Sequence, residues 1–404
     1  MARGGRWNSR NEETDSLSST RAPIDLDRHE LAVKVIGKDV MSLRVVIACG
    51  GTGGHLFPGI AVAEALTGRG HEPLLLISEK EIDSVAARDH PALRFEKVPA
   101  VGMPPWLSPR LVPFVVKFWK TFRRTRRVLR EFRADAVLGM GGFTSLPPVL
   151  SGRLMGAKTF IHESNAIPGK ANRLTARFCD VVLLGMPACS RHFAARQCRV
   201  VGTPLRAALR RVVPTADAYA CFGLDPAKQT VLIMGGSQGA RAINRAVIEA
   251  LPRLDPERVQ LIHLTGPDDE VVVRDAVRQA RLQAFIAPFS ARLDRAYTIA
   301  DMCVARCGGS SLAEIAHFGV PAILIPYSYA ADDHQTRNAE AFAANGAAIM
   351  VPEADLRPAH LGELISDLLR DEGRRSDMRR AMRELAIPDA AERICDVIEH
   401  TGRG

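Results

Sequence analysis

The chain has 404 residues, 47% of them hydrophobic and 25% charged, a composition that describes a globular protein long enough for two separate cores. No apolar run reaches the ~18 residues of a membrane span, and the amino end lacks the basic-then-apolar order of a secretion signal. The expectation is a protein that stays inside the cell, soluble or peripheral. The net charge of +9 raises a nucleic-acid reading, yet nine basic residues and one acidic residue fall between Trp106 and Arg133, while residues 1 to 42 carry seven of each sign. The surplus is one local patch, and no nucleic-acid partner is expected. Eight scattered cysteines point to reduced thiols; the close pair Cys303 and Cys307 has no second pair or histidine set to complete a zinc site.

Residues 1 to 42 are polar and aperiodic and are expected to form a disordered extension. From Leu43, short apolar runs alternate with amphipathic segments. Strands are expected at 43 to 49, 73 to 77, 94 to 98, 135 to 138, 158 to 161, 180 to 184 and 198 to 201, with helices between most of them. Prolines at 204 and 214 bracket an Arg-rich piece, which breaks the pattern and reads as a hinge. The alternation restarts at Thr230-Val-Leu-Ile-Met234 and continues with strands at 259 to 263, 283 to 287, 301 to 305 and 321 to 325. Strand and helix in strict turn predict an α/β protein of two doubly wound, Rossmann-like parallel sheets facing each other across a cleft.

The chain is organised around Val45-Val-Ile-Ala-Cys-Gly-Gly-Thr-Gly-Gly-His-Leu-Phe-Pro58, a buried strand breaking into four glycines and a histidine. Glycines let backbone N–H groups approach an anion, and a helix starting near Phe57-Pro58 would aim its positive dipole end at the turn. His55 stands beside it with an ordinary pKa suited to taking a proton near neutrality; the plainer alternative is an exposed histidine on a tight turn. Gly139-Met-Gly-Gly-Phe-Thr-Ser-Leu-Pro147 is a second candidate cradle. Ile161-His-Glu-Ser-Asn165 puts three polar side chains after a strand, where they either meet ligand or cap the next helix. In the second half, Gly235 to Ala240 opens a helix from a glycine turn, with Ser237 suited to a phosphate and Arg206 to a fixed counter-charge. Glu314, near a helix start, suits a ribose diol or its own helix dipole.

Between Trp106 and Arg133 a helix is expected with Leu111, Val115, Phe118, Phe122 and Leu129 on one stripe, Phe114 and Trp119 beside it, and Lys117, Lys120, Arg123, Arg124 and Arg127 opposite. Such a stripe either packs into a core or lies on an anionic membrane leaflet. Neither glycine turn satisfies G-x-G-x-x-G, which disfavours a nicotinamide enzyme, and no G-x-x-x-x-G-K-[ST] supports an ATPase. No D-x-D pair stands out for a metal, so any diphosphate must be met by backbone dipoles and arginine.

In order and spacing, Gly50-Gly-Thr-Gly-Gly-His-Leu-Phe-Pro58, Gly139 to Pro147, His162-Glu-Ser-Asn165, Gly235 to Ala240, Ala313-Glu-Ile-Ala316 and His334-Gln-Thr-Arg-Asn-Ala339 resemble the MurG family. These are GT-B glycosyltransferases that move N-acetylglucosamine from UDP-N-acetylglucosamine onto undecaprenyl-diphospho-muramoyl-pentapeptide. The resemblance covers residue 43 onward and implies inverting transfer without cofactor or metal. It also implies peripheral placement on the anionic cytoplasmic face of the cell membrane, in company with other cell-wall synthesis proteins. It implies an acceptor domain over 43 to 205, a hinge over 206 to 214, and a donor domain over 215 to 404 whose last helix packs back on the first. Ser237 and Arg206 would meet the donor diphosphate, backbone near Phe289-Ser290 the uracil, Glu314 the ribose, and Gln335 with Asn338 the sugar hydroxyls. Thr52, Gly53, Gly54 and Asn165 would approach from the opposite wall. His55 is implied as the base, Gly51, Gly54, Gly141 and Gly142 as the acceptor diphosphate cradle, and Leu111, Phe114, Lys117, Phe118, Trp119 and Lys120 as the membrane patch. Ser164, Phe143, Thr203 and the turn Cys307 to Ser310 depart from the family's usual residues. A diacylglycerol-type lipid acceptor, a UDP-N-acetylglucosamine epimerase and a non-catalytic scaffold remain as alternatives.

Overall fold

The computed structural model describes residues 42–51, 53–80, 83, 87–99, 111–194, 197–236 and 239–402. The extension expected before Leu43 lies outside them, apart from Ser42.

Seven strands, β1 (Arg44–Ala48), β2 (Glu72–Ile77), β3 (Arg94–Lys97), β4 (Ala136–Gly139), β5 (Lys158–Glu163), β6 (Val181–Leu184) and β7 (Cys198–Val200), form a parallel sheet in the order β3-β2-β1-β4-β5-β6-β7. Six more, β8 (Gln229–Met234), β9 (Val259–Leu264), β10 (Gln283–Ala287), β11 (Met302–Ala305), β12 (Ala322–Leu324) and β13 (Ala348–Met350), form a second in the order β10-β9-β8-β11-β12-β13. Each sheet reverses direction beside its first strand, between β1 and β4 and between β8 and β11. Such switch points leave a crevice at the carboxyl ends of the strands, and the glycine turns after β1, β4, β8 and β11 all lie there.

The strands read as unbroken apolar runs because both faces are covered. Val45 and Ile47 enter one core and Val46 and Ala48 another, as the period of two requires. The second sheet repeats the arrangement, with Val231 and Ile233 on one face and Leu232 and Met234 on the other. The last helix, Ala390–Gly402, buries Ala391, Ile394, Cys395 and Ile398 with Leu56, Ile60 and Ala63, so the end of the chain completes a core of the first sheet. Arg69 ties it down through Glu392, Asp396 and Glu399.

Two expectations need correction. β13 was not foreseen: it is a short strand at the edge of its sheet, defined by its pairing with β12, Ala348 against Ala322. The first helix runs Gly53–Gly68 rather than starting at Phe57, so Pro58 lies inside it. A proline there removes the N–H that the Gly54 carbonyl would accept. That carbonyl instead takes a hydrogen bond from the Ser310 hydroxyl of the second half, at 3.2 Å.

The basic helix is Leu111–Phe132, and its apolar stripe divides along its length. Phe122, Leu129 and Phe132 are buried, while Val115, Val116 and Trp119 are 58%, 50% and 56% exposed. Phe114 and Phe118 are half-buried, Lys117 and Lys120 are exposed, and the Leu111 side chain lies outside the described residues. Among the described residues no helix is long and apolar enough to cross a membrane.

Candidate active site

The two glycine turns of the first sheet are joined to each other. Thr144 donates its hydroxyl to the Gly50 carbonyl at 2.9 Å, bridging the turn after β4 to the turn after β1. Gly50 has no room for a side chain, since a Cβ would stand 2.4 Å from the Ser78 nitrogen of the neighbouring strand end. The His55 ring lies over the second turn, with Nε2 at 2.8 Å from where a Gly141 Cβ would be and Cε1 at 3.4 Å from that of Gly142. Both glycines have positive φ, 120° and 73°. This turn is glycine-built to seat the imidazole.

Part of the expected anion cradle is therefore spent elsewhere. The Gly51 N–H donates to Asp83 Oδ2 at 3.1 Å and the Gly141 N–H to Ser145 Oγ at 3.1 Å, so neither points to a diphosphate. Gly53 and Gly54 form the first turn of the helix 53–68, where backbone N–H groups lack intrahelical partners. Thr52 lies outside the described residues.

Enclosure lowers the His55 pKa to about 4, so its imidazole is neutral at pH 7 and able to accept a proton. His162, fully buried, is lowered likewise to about 4 by desolvation. Its Nε2–H donates to the Gly202 carbonyl at 2.8 Å, which leaves Nδ1 to accept from Ser164 Oγ at 3.4 Å. Glu163 is 3% exposed and organises its loop: Oε1 accepts from the Asn165 backbone N–H and side-chain amide, and Oε2 from the Gly169 N–H and Asn172 Nδ2. His162 and Glu163, expected to face ligand, are internal supports. The helix-capping alternative does not hold either: the next helix, Lys170–Ala176, starts at Gly169 with no side-chain cap, and Glu163 reaches only the Gly169 N–H before it.

Asn338 is the clearest correction. Expected at sugar hydroxyls, it is 0% exposed, and its amide is engaged at both ends. Oδ1 accepts from the Ala166 N–H at 2.8 Å, and Nδ2 donates to Asn165 Oδ1 at 2.9 Å and to the Cys307 carbonyl at 2.8 Å. It clamps the loop after β5 to the turn after β11, and occupies Asn165 in doing so. Gln335 Oε1 likewise accepts from the backbone N–H groups of Cys307 and Tyr327, at 3.3 and 3.0 Å, which leaves the other end of its amide to consider as a ligand group. Gly309 completes the seam, because a Cβ there would stand 2.6 Å from the Ser164 carbonyl oxygen.

Arg206 and Glu314 are neighbours. Arg206 Nη2 is 3.7 Å from Glu314 Oε1, and its guanidinium lies 4.5 Å above the Phe57 ring of the first half. Burial raises the Glu314 pKa, opposed by Arg206 and by the Tyr297 hydroxyl, which donates to Oε2 at 3.0 Å. Ser290 is 7% exposed and its Oγ accepts from the Arg292 N–H, leaving backbone at Phe289-Ser290 for ligand contact. Ser237 lies outside the described residues; at Gly239 a Cβ would lie 2.2 Å from the Thr265 carbonyl oxygen, so that position admits only glycine. Sequence reasoning missed Lys80, Asp83, Thr144 and Tyr297. The first two stand just past β2, where the rule that ligands gather at strand ends would have found them.

The arrangement puts a neutral imidazole on one wall of the seam, and the start of the helix Gly309–Phe318 with an arginine–carboxylate pair on the other. It can remove a proton on one side and hold a charged leaving group on the other. Residues 45–184 match the glycosyltransferase family 28 N-terminal domain and residues 230–394 the glycosyltransferase family 28 C-terminal domain. The UDP-N-acetylglucosamine–N-acetylmuramyl-(pentapeptide) pyrophosphoryl-undecaprenol N-acetylglucosamine transferase of Geotalea uraniireducens (strain Rf4) is 39% identical over 360 residues, covering 88% of this chain and 97% of its own. The chain belongs to this family, the MurG transferases. The same-named enzyme of Halothermothrix orenii (strain H 168 / OCM 544 / DSM 9562) is 34% identical over 374 residues, covering 90% of this chain and 100% of its own. The crystal structure of Acinetobacter baumannii MurG is similar with a TM-score of 0.71 and 28% identity, over 89% of this chain and 99% of that one. The MurG fold is GT-B, and the two parallel sheets described above are its two halves.

Proposed function

We propose that the protein transfers N-acetylglucosamine from UDP-N-acetylglucosamine to undecaprenyl-diphospho-muramoyl-pentapeptide, with inversion at the anomeric carbon. The observation that carries the reading is the neutral His55 seated on the Gly141-Gly142 turn, beside the first-half loops that meet the Glu314-bearing half. The relatives bearing this activity in their names cover the same length of chain. A muramoyl hydroxyl attacks while His55 takes its proton. UDP leaves toward Arg206 and the start of the helix Arg241–Ala250, whose positive charge and dipole offset the charge it gains, with Ser237 as the expected diphosphate contact. Residues 43 to 205 serve the acceptor, 206 to 214 the hinge, and 215 to 404 the donor. The test is UDP release from purified protein given both substrates, with diacylglycerol as the competing acceptor and with and without chelator. Release with diacylglycerol, or free sugar without any lipid, would replace this reading by one of its alternatives.

Glu314 binds the ribose hydroxyls in this reading. Glu314→Ala is expected to raise the UDP-N-acetylglucosamine Kd by about tenfold or more in calorimetric titration, as loss of a charge-assisted hydrogen bond requires. An unchanged Kd removes the ribose assignment.

The same reading puts the exposed amino-terminal part of the helix 111–132 on the anionic cytoplasmic leaflet, near other cell-wall synthesis proteins. Val115, Val116 and Trp119 are exposed beside Lys117, Lys120, Arg123 and Arg124. Each cation near such a surface contributes about 1 kcal/mol. Sedimentation with phosphatidylglycerol vesicles is expected at low salt, with release at high salt and loss of most binding in Trp119→Glu. Equal recovery with neutral vesicles would contradict it.

A further inference from the structure

Gly51 is held at its N–H and at its carbonyl by charged groups from just beyond β2. Asp83, 0% exposed, gathers the Gly51 N–H together with the Ser78 N–H and hydroxyl on Oδ2, while Oδ1 is buried with no hydrogen-bond partner among the described residues. A carboxylate is thus fixed directly behind the turn expected to receive the acceptor diphosphate. Uncompensated, its field opposes an anion arriving there, and it has also consumed one of the N–H donors that made the turn attractive. His55, neutral at pH 7, supplies no positive charge. Lys80 does: it is exposed, and its ammonium donates to the carbonyl of the same residue, Gly51, at 2.6 Å. One carbonyl satisfies one of three ammonium donors, so among the described residues two remain for another acceptor at the mouth of the turn.

We propose that Lys80 is a phosphate-binding residue of the acceptor site, parked on the Gly51 carbonyl in the empty protein and turned to the lipid-linked diphosphate when acceptor binds. This rests on the acceptor reading of the first half given above. Asp83 is its counterpart: it holds the Gly51 peptide in place from behind, and its charge makes the turn dependent on the lysine.

The test compares full-length wild type with Lys80→Met, Lys80→Gln and Lys80→Arg. Lys80→Met is expected to raise KM for the lipid-linked acceptor by about 10- to 100-fold, the range of a charge-assisted phosphate contact, with kcat within about threefold and the UDP-N-acetylglucosamine Kd unchanged. Glutamine can still donate to the Gly51 carbonyl but carries no charge, so Lys80→Gln should behave like Lys80→Met, while Lys80→Arg recovers most of the affinity. An acceptor KM within twofold of wild type in Lys80→Met, or a wild-type-like Lys80→Gln, overturns the proposal. So does a donor Kd that moves as far as the acceptor KM. If the wild type itself turns over no lipid-linked acceptor, the parent reading has failed. The lysine is then judged on inorganic pyrophosphate binding at saturating UDP, which Lys80→Met must weaken for the proposal to stand.

Discussion

His55→Ala is expected to lower kcat by about 10²- to 10⁴-fold, the usual contribution of a general base, while the UDP-N-acetylglucosamine Kd stays within about threefold. The separation arises because His55 stands on the first-half wall while Arg206 and Glu314 pair on the other. The pH dependence carries a second signature. The catalytic form is the neutral imidazole, and enclosure has moved its pKa from 6.5 down to about 4. Protonation of the free enzyme therefore begins only as pH falls toward 4, and kcat/KM should hold level from pH 7 to pH 5 where an unperturbed histidine would lose most of its activity. In the complex, the acceptor diphosphate favours the imidazolium, so the acid limb of kcat should lie at higher pH than that of kcat/KM. Turnover within about fivefold of wild type in His55→Ala would give the imidazole a supporting role only. The base could not then be sought in Glu163, since both oxygens of that carboxylate are already occupied by donors.

Glu163 yields the second large effect, on stability. Each of its oxygens accepts two hydrogen bonds in a buried setting, from backbone at Asn165 and Gly169 and from the amides of Asn165 and Asn172. Glu163→Ala leaves four donors without partners and is expected to cost about 3 kcal/mol or more in urea-unfolding free energy. Glu163→Gln tests the reasoning more sharply. Although it preserves volume, the amide nitrogen placed at either oxygen position meets two donors head-on, so it should destabilise nearly as much as alanine. A Glu163→Gln protein as stable as wild type, with kcat reduced, would instead make the residue catalytic.

The architecture was legible because its signals are local. Buried runs such as Val45 to Ala48 and Val231 to Met234 alternate with amphipathic helices, and glycines mark the turns where β1, β4, β8 and β11 end. What escaped depends on partners far away in the chain. Nothing near Asn338 tells that its amide is taken by Asn165 and Ala166, 173 and 172 residues earlier, so the residue looked available for sugar. Likewise the Gly51 and Gly141 N–H groups look free until Asp83 and Ser145 are found on them. The helix start at Gly53 was hidden by Pro58, which ordinarily marks a first turn. Here the proline is tolerated deeper inside because Ser310, from the other half, satisfies the carbonyl it orphans.

The returning helix 390–402 has a mechanical consequence. The backbone passes from the first sheet to the second after β7 and comes back just before Ala390. At these two passages a Cβ on Gly202 would lie 2.6 Å from that of Ile387. Two covalent crossings so close together are expected to act as a paired pivot, a motion that comparison of donor-bound and free protein would reveal as a swing of the halves about one line. Because a wall of the first half's interior is made from residues 390–402, that half cannot mature during synthesis until the second half has been made.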